Sequence, residues 1–239
     1  ICPGELSESC LEAVLAEISA DAGVRSLVFE SIPGCSRTLE SLPTIAKNLG
    51  WEISVEKEDV SPRLELPADW EEYVSSLRKK DRHELRRKIR RLEAAGDVQH
   101  IELSSREDVE TAASDFFALH RMSTPEKEEF MTTERENFFR DVSAKLADAG
   151  VTRLSFLELD GKKVATSLSF VVGGIRYLYN SGYDPEYRRL AVGLLNHAYT
   201  IRRSIEQGHT VFDFMRGNEP YKYHLGGVDR DVFRITATR

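Results

Sequence analysis

Residues Tyr183 to Leu195 read YDPEYRRLAVGLL, and they predict the strand–loop–helix unit around which the fold is built. The stretch follows a run typical of a β-strand, from Arg176 to Ser181, and leads into a periodic helix predicted from Leu190 to Gln207. A loop between a strand end and a helix start presents free backbone N–H groups and the positive end of the helix dipole. We therefore expect an anion site here, suited to a diphosphate.

The composition of this loop agrees with an anion site. Arg188 and Arg189 directly precede the helix, and Gly193 allows a close backbone approach. An ordinary helix start, in which the glycine only lets the helix pack on a strand, explains the same pattern. The position after a series of antiparallel strands favours ligand binding, because a strand edge that parts from its neighbour can pair with a pantetheine-like amide chain. The residues assigned to this site are Tyr179, Ser181, Arg188, Arg189, Ala191, Val192, Gly193 and Leu194.

Three alternating segments precede the loop and predict an antiparallel meander. They run from Thr152 to Leu159, from Lys163 to Val172 and from Ile175 to Gly182, and the dipeptides Asp160-Gly161 and Gly173-Gly174 between them are typical of tight hairpin turns. Helices are predicted on either side, with further short strands at 98–103, 210–214 and 231–236 and a short turn or helix near Tyr221. The expected fold class is α/β (α+β), with a mixed, mainly antiparallel sheet flanked by helices.

The N-terminal part shows a separate βα alternation, too short to close a sheet of its own. We predict that residues 1–66 are a partial domain, that 67–96 form a basic linking helix, either continuous or broken near Asp81, and that 97–239 form a complete C-terminal domain.

Composition and charge narrow the class of protein. The chain has 239 residues, 41% of them hydrophobic, and no apolar run approaches the length of a membrane span, so no stable membrane insertion is expected. No signal peptide is recognised, although the chain begins with Ile1 and not with Met. The cysteines Cys2, Cys10 and Cys35 lack metal-type spacing, which indicates reduced thiols and a cytoplasmic location, without a metal.

The net charge of −7 hides a basic segment. Residues 78–91 contain nine lysines and arginines against Asp81 and Glu84. Such a helix could bind phosphates of a nucleotide, RNA or lipid head group, with Arg86 and Arg90 as candidate substrate-binding residues. A solvated linker helix is the alternative.

A second candidate site is FDFMRGNEPYK, residues 212–222. Asp213 lies between two aromatic residues, where an unpaired carboxylate is costly, so it must be hydrogen-bonded, metal-bound or shifted in pKa. Its alternative role is to cap the adjacent turn or to pair with Arg216. Tyr221 and Lys222 could supply a proton and a positive charge to a leaving group, or be a core aromatic and a surface lysine. For His120, a helix-end position is favoured over a role as catalytic base.

Three runs together resemble a known family: WEEYVSSLRKKDRHELRRKIRRLEAAGDV, FLELDGKKVATSLSFVVGGIRYLYNSGYDPEYRRLAVGLL and GHTVFDFMRGNEPYKYHLGG. Over about residues 60–230 the chain is similar to the CelD-like acyltransferases of the GNAT superfamily, which are related to the FemAB peptidyltransferases. The resemblance implies tandem GNAT-like halves, with 1–66 as the tail of the first. It also implies acyl-CoA, acetyl-CoA or longer, as co-substrate bound by Arg188 to Leu194, where Ala191 replaces a usual glycine. FemAB-type relatives use aminoacyl-tRNA instead.

The expected function is an N- or O-acyltransferase that moves an acyl group directly to an amine or hydroxyl. The acceptor would be a small molecule, a sugar or a cell-envelope precursor, as in polysaccharide biosynthesis. Asp213 or Tyr183 would act as base, Tyr221 as acid, and Lys222 or backbone N–H groups would stabilise the oxyanion, while Arg216 and Glu219 join Arg86 and Arg90 in substrate binding. The alternatives are an aminoacyl-tRNA-dependent transferase and a non-catalytic binding module for anionic glycan or nucleotide-linked precursors. Self-association into a homodimer is left open.

Overall fold

The structure is a computed structural model that describes residues 7–239; the prediction for Cys2 lies outside the described residues. The chain divides into two compact units. The N-terminal unit comprises residues up to 62 together with 216–218 and 229–239, and the main unit comprises 63–215 and 219–228.

The N-terminal unit is built from two helices and a three-stranded antiparallel sheet. The helices are α1 (Ser7–Ala20) and α2 (Arg37–Asn48), and the strands are β1 (Ser26–Pro33), β2 (Glu52–Val60) and β9 (Asp231–Thr238). The last strand of the chain, β9, lies between β1 and β2 and pairs with both. For this reason the C-terminal residues belong to this unit, whereas the sequence grouped them with residues 97–230. That residues 1–66 are the tail of a first GNAT-like half stays a prediction.

The main unit contains a six-stranded sheet in the order β3-β8-β7-β6-β5-β4. The strands are β3 (Arg63–Glu65), β4 (Val98–Leu103), β5 (Thr152–Leu159), β6 (Lys162–Val172), β7 (Ile175–Tyr183) and β8 (Val211–Asp213). All neighbours in this sheet are antiparallel except β7 and β8, which run parallel. The predicted fold class, a mixed and mainly antiparallel sheet with helices, is confirmed.

The hairpins that connect β5, β6 and β7 form where the dipeptides predicted them. Asp160 and Gly161 have φ of 51° and 76°, and Gly173 and Gly174 have φ of 58° and 77°. Two successive positive φ angles are what a type I′ hairpin turn requires, and its twist matches that of the strands.

Helices cover both faces of the six-stranded sheet. They are α3 (Trp70–Ser76), α4 (Lys79–Glu93), α5 (Arg106–Ser123), α6 (Pro125–Phe130), α7 (Thr133–Asp148), α8 (Val192–Glu206) and α9 (Pro220–His224). On one face α5 and α7 pack Phe116 and Phe139 against Phe156 of β5. On the other face α8 buries Leu195 and Ile201 in a second core.

Two features of the helices concern the region of the site. The basic linking helix is two helices, because Leu77 and Arg78 are extended, with ψ of 148° and 141°; the break lies three residues before Asp81, near which the sequence allowed one. The short helix α6 was not predicted. Among residues 7–239, no helix combines the length and the apolar character that a membrane span requires. Cys10 and Cys35 are exposed and form no disulfide.

Candidate functional site

The sheet of the main unit opens between β7 and β8. The two strands pair over three residues only, from Ile175 with Val211 to Tyr177 with Asp213. Strand β8 ends there, while β7 continues to Tyr183 and stays paired with β6 on its other edge. Within the described chain, residues 178–183 therefore have a strand neighbour on one edge only. We call this edge the strand opening; it is the parting of strands that the sequence predicted.

The start of α8 lies just beyond the end of β7. Residues Pro185–Leu190 form a 3-10 helix, and Ala191 then turns the chain with φ 58° and ψ 35°. Leu195 N–H donates to the Ala191 carbonyl at 3.0 Å, which begins the hydrogen-bond series of α8. The N–H groups before Leu195 point out of the helix end, and Ala191 has no side-chain group that could cap them. The predicted anion-binding geometry is present in the backbone.

The side chains around this helix start differ in what they contact. Arg188 and Arg189 are exposed, and within the described residues neither guanidinium forms an ion pair. At Gly193 an added Cβ would lie 3.1 Å from the Tyr183 ring. The glycine therefore lets α8 pack closely on the end of β7. Val192 is buried in the core, and Leu194 is half-buried.

Two predicted donor-binding residues on β7 face different directions. The Tyr179 ring, 42% exposed, contacts Phe139 and Phe170 on the α7 side of the sheet. The Ser181 carbonyl lies in the strand opening and accepts a hydrogen bond from Lys127 Nζ.

The helix α9 brings two predicted catalytic residues near the opening. The Tyr221 ring stacks on the His197 ring, with centroids 5.0 Å apart. Burial, and then the charge of Glu219, raise the pKa of Tyr221 well above its ordinary value, so its hydroxyl stays protonated at neutral pH.

Lys222 is not the surface lysine that the alternative interpretation assumed. Its side chain is 2% exposed, its Nζ donates to the Met215 carbonyl at 3.0 Å, and it forms an ion pair of 2.8 Å with Glu219. These contacts hold the loop after β8 against α9. Its predicted role in oxyanion stabilisation stays a prediction.

Asp213 performs the capping role named as its alternative. Its Oδ1 accepts from the Met215 N–H at 2.8 Å, across the turn that follows β8. Tyr183, the other predicted base, donates its N–H to Ser123 Oγ at 2.8 Å and packs its ring on the start of α8. The catalytic roles of both residues stay predictions.

The predicted substrate-binding residues do not form one cluster. Arg216 belongs to the N-terminal unit, where its guanidinium bonds Glu58 at 2.6 Å and Asp59 at 3.1 Å. Glu219 pairs with Lys222 in the main unit. On α4, Arg86 pairs with Glu71 at 3.2 Å, and Arg90 is exposed.

Helix α4 nevertheless adjoins the start of α8. A cavity of about 230 Å³ lies between α4, the first turn of α8 and the end of α9. Its lining includes Lys80, Lys88, Leu194 and His224. The basic segment and the predicted anion loop thus border one cavity, which the sequence alone did not indicate.

Three residues that sequence reasoning missed or set aside lie at the strand opening. Lys127 of α6 reaches Ser181, and burial lowers its pKa. His197 is 5% exposed; burial, with smaller contributions from Lys127 and Lys222, lowers its pKa to about 3. His120 is buried in α5, with Nε2 2.9 Å from Asn180 Oδ1, and burial lowers its pKa to about 4. Both imidazoles are therefore neutral at physiological pH.

One signal in the sequence pointed to α6. Thr124 followed by Pro125 is a helix start, with a side-chain cap and a proline in the first turn, and the Thr124 side chain does accept from the Lys127 N–H.

No group of His, Cys, Asp and Glu in residues 7–239 is arranged to hold a metal ion.

Comparison with known families and structures gives one sequence match and several structural ones. The model of the family described as acetyltransferase (GNAT) domain matches residues 79–223, more than half of the chain. Among curated proteins, none matches the sequence significantly.

Solved structures share the fold at low sequence identity. A conserved protein of unknown function from Bacteroides thetaiotaomicron is 13% identical, with a TM-score of 0.67, over 97% of this chain and 75% of that one. The C-terminal domain of a candidate lysylphosphatidylglycerol synthetase from Agrobacterium fabrum is 12% identical (TM-score 0.67, 98% and 74% covered). FemX is 13% identical (TM-score 0.66, 96% and 77% covered). At these identities the likeness concerns the fold alone.

Proposed function

Because the chain belongs to the GNAT acetyltransferase-domain family, we propose that it transfers an acyl group from acyl-CoA to an amine or hydroxyl acceptor. The transfer is direct, without a covalent enzyme intermediate. The acceptor is a small molecule or a glycan or cell-envelope precursor. The acyl donor supplies an activated thioester, and the protein supplies its placement beside the acceptor.

The observation that carries this proposal is the strand opening followed by the uncapped start of α8. Within the described residues, 178–183 have a strand neighbour on one edge only, so an amide chain can add as a strand along the other edge. Such a chain exchanges the side-chain hydrogen bonds that Ser181 and Tyr183 now make there for backbone ones. The N–H groups at the start of α8, with Arg188 and Arg189, which form no ion pair in residues 7–239, lie where a diphosphate attached to that chain needs positive charge. One molecule with an amide arm and a diphosphate satisfies both.

The residues around the opening suit the chemistry. Tyr221, protonated at neutral pH, provides a proton for the leaving thiolate, and backbone N–H groups of the opening stabilise the carbonyl oxygen as charge develops on it. Holding both reactants in one orientation supplies much of the acceleration. Asp213 or Tyr183 takes the proton from the acceptor, directly or through water.

A groove at the end of β7 is our candidate for the acceptor. It has a volume of about 550 Å³ and is lined by the end of α5, the start of α6 and Pro185, with Arg121 and Glu128 among its polar residues. Both signs of charge in its lining suit a polar acceptor.

Isothermal titration with acetyl-CoA, longer acyl-CoAs and CoA tests the donor. We expect binding, and a loss of roughly tenfold in affinity for Arg188→Ala or Arg189→Ala, as for one charge-assisted contact. Arg202→Ala, an exposed arginine at the other end of α8 paired with Glu206, is the matched control and should bind normally. Absence of heat with every CoA compound on folded protein would refute the CoA donor.

A second candidate function, aminoacyl transfer from tRNA, is favoured by the cavity that α4 shares with α8. Lys80 and Lys88 line it beside Leu194, together with the carboxylates Asp81 and Glu84, which pair with Arg78 and Arg87 of the same basic segment. The structures of similar fold include FemX and the candidate lysylphosphatidylglycerol synthetase.

Salt dependence separates the two donors. Binding of tRNA should weaken steeply with ionic strength, and Arg86→Ala or Arg90→Ala should each reduce the logarithmic salt slope by about 1. Arg140→Ala on α7, paired with Glu136 on the opposite face of the sheet, is the control. CoA binding with no tRNA binding at low salt would remove this candidate.

A further inference from the structure

Lys127 projects from α6 into the strand opening. The cap of Thr124 and the proline at position 125 fix the first turn of α6, and Lys127 lies in that turn. Its ammonium donates to the carbonyl oxygen of Ser181, in the part of β7 that β8 no longer accompanies. A lysine from the α5–α7 region therefore reaches the edge at which we propose that the acyl donor binds.

The charge of Lys127 acts on titratable groups of other elements. His120 of α5 and His197 of α8 have pKa values lowered first by burial and then by the charge of Lys127. Glu219, ahead of α9, acts on Lys127 in the opposite sense and opposes the effect of burial on its pKa. Lys222 of α9 acts on His197 as well. The charge of Lys127 thus interacts with groups on α5, on α8 and directly before α9.

Two N–H donors of the Lys127 ammonium make no hydrogen bond within the described residues. A lysine ammonium carries three N–H donors, and within the described chain Lys127 uses one, to Ser181. The nearby carboxylate of Glu219 is in an ion pair with Lys222, and in residues 7–239 Lys127 has no ion pair of its own. A partly buried cation held by one neutral carbonyl is costly unless a further oxygen completes its shell. An oxygen atom of a ligand bound in the opening would complete it.

We propose that Lys127 is a further catalytic residue, which binds the carbonyl oxygen of the transferred acyl group and stabilises the negative charge that develops there. The inference rests on the proposed acyl transfer. As the acceptor nitrogen or oxygen forms its bond to the carbonyl carbon, the π electron pair moves to the carbonyl oxygen and Lys127 N–H donates to it. When that pair returns, the carbon–sulfur bond breaks and its electrons leave with the thiolate, which takes a proton from Tyr221. The acceptor's proton passes to the base, and Lys127 keeps its own.

The main alternative is a tether, in which Lys127 only ties α6 to β7. Lys127→Met keeps the alkyl chain and removes the charge, whereas Lys127→Arg keeps the charge. The control is Lys145→Met on α7, which removes an exposed lysine paired with Asp141. A tether affects thermal unfolding, and it does not polarise a substrate carbonyl.

Infrared difference spectra of bound acetyl-CoA, labelled with ¹³C at the thioester carbonyl, read that polarisation without an acceptor. We expect the carbonyl stretch to be lower in the wild-type complex than in free acetyl-CoA, to return toward the free value in Lys127→Met, and to stay lowered in Lys127→Arg and Lys145→Met. With any acceptor that the wild type uses, Lys127→Met should turn over about 100-fold more slowly at similar KM for acetyl-CoA.

The outcomes separate the two proposals. If wild-type protein does not bind acetyl-CoA, the proposed CoA-dependent function fails, and the role of Lys127 fails with it. If acetyl-CoA binds and its carbonyl frequency is the same in wild type and Lys127→Met, only the role of Lys127 is wrong. Should Lys127→Met not fold, an unshifted carbonyl in the wild-type complex, or in folded Lys127→Arg, overturns the role equally.

Discussion

The two segments of β7 differ in how many strands pair with them, and their charged neighbours differ accordingly. Ile175–Tyr177 has a strand on both sides, and its central residue, Arg176, is fully buried and paired with Glu102 at 2.6 Å. Within the described residues Leu178–Tyr183 has a strand on one side only, and side chains of α5 and α6 bond to its Asn180 and Ser181. In the first segment charge is neutralised inside the fold. In the second, the backbone of Ser181 and Tyr183 bonds to side chains, and Lys127 bonds there without an ion pair in the described residues.

Removing the buried ion pair between Arg176 and Glu102 is the strongest test of the first segment. Glu102→Ala leaves the Arg176 guanidinium without its carboxylate in the core, so we expect a loss of about 3–5 kcal/mol in the free energy of unfolding. Urea denaturation measures it. Glu110→Ala, which removes an exposed partner of Arg106, should lose less than about 1 kcal/mol. Equal losses would show that the first segment is not held by this charge pair.

A substitution at Gly182 tests how tightly the second segment is fixed. An added Cβ would lie 2.5 Å from backbone atoms of His120 and Leu119, so β7 or α5 must move. We expect Gly182→Ala to lower stability by about 1–3 kcal/mol, as overpacking does. At Gly193 the neighbour is the Tyr183 ring, which can move, so Gly193→Ala should change stability by less. A silent Gly182→Ala would mean that the opening is looser than the structure shows.

The pH dependence of stability reports on the neutral histidine at the opening. The pKa of His197 is about 3 in the folded protein and near 6.5 in the unfolded chain. Below pH 6.5 the unfolded state therefore binds a proton at this residue that the folded state does not bind. Stability is full above pH 6.5 and falls as pH drops toward 3, by up to about 1.4 kcal/mol per pH unit for this residue.

His197→Phe should therefore flatten the fall in unfolding free energy between pH 6.5 and 5. His83→Asn, at an exposed position on α4, is the control and should keep the wild-type slope. Identical slopes in all three proteins would show that His197 is not buried in its neutral form.

The smallest expected effect concerns the residue that links the 3-10 helix to α8. Ala191 has φ 58°, a conformation that costs an alanine about 1–2 kcal/mol and a glycine little. Since glycine also adds freedom to the unfolded chain, Ala191→Gly should raise stability by no more than about 1 kcal/mol. Thermal unfolding measures the change, and a clear loss of stability would show that the Ala191 methyl group has a packing role that outweighs the strain.

Local sequence signals predicted much of the region around the opening. Alternating residues and the Asp160-Gly161 turn predicted β5 and β6 to within a residue, because hairpin turns and strand alternation depend on neighbours in the chain. The start of α8 and its uncapped N–H groups followed from the same kind of signal. The short β8 was predicted too long by one residue at each end. In the structure it ends at Asp213, and the opening begins there.

Long-range contacts explain what was missed. Lys222 is an ordinary lysine in the sequence; its partners Met215 and Glu219 are near it in the chain, and its burial depends on how α9 packs in the main unit. Lys127 lies in a helix of six residues, too short for a periodic pattern, and its partner Ser181 is 54 residues away. The place of β9 between β1 and β2 likewise depends on pairing between the two ends of the chain.

The amino-acid sequence by itself determined the order of strands and helices, the hairpins and the strand–loop–helix unit that ends in α8. These depend on backbone preferences and on side-chain periodicity, which act over a few residues. Tertiary structure alone decided which strand edge stays open, which lysines become buried and which histidines stay neutral. Each of these is set by how much water and which charges surround a group, and the surroundings are supplied by residues far away in the chain.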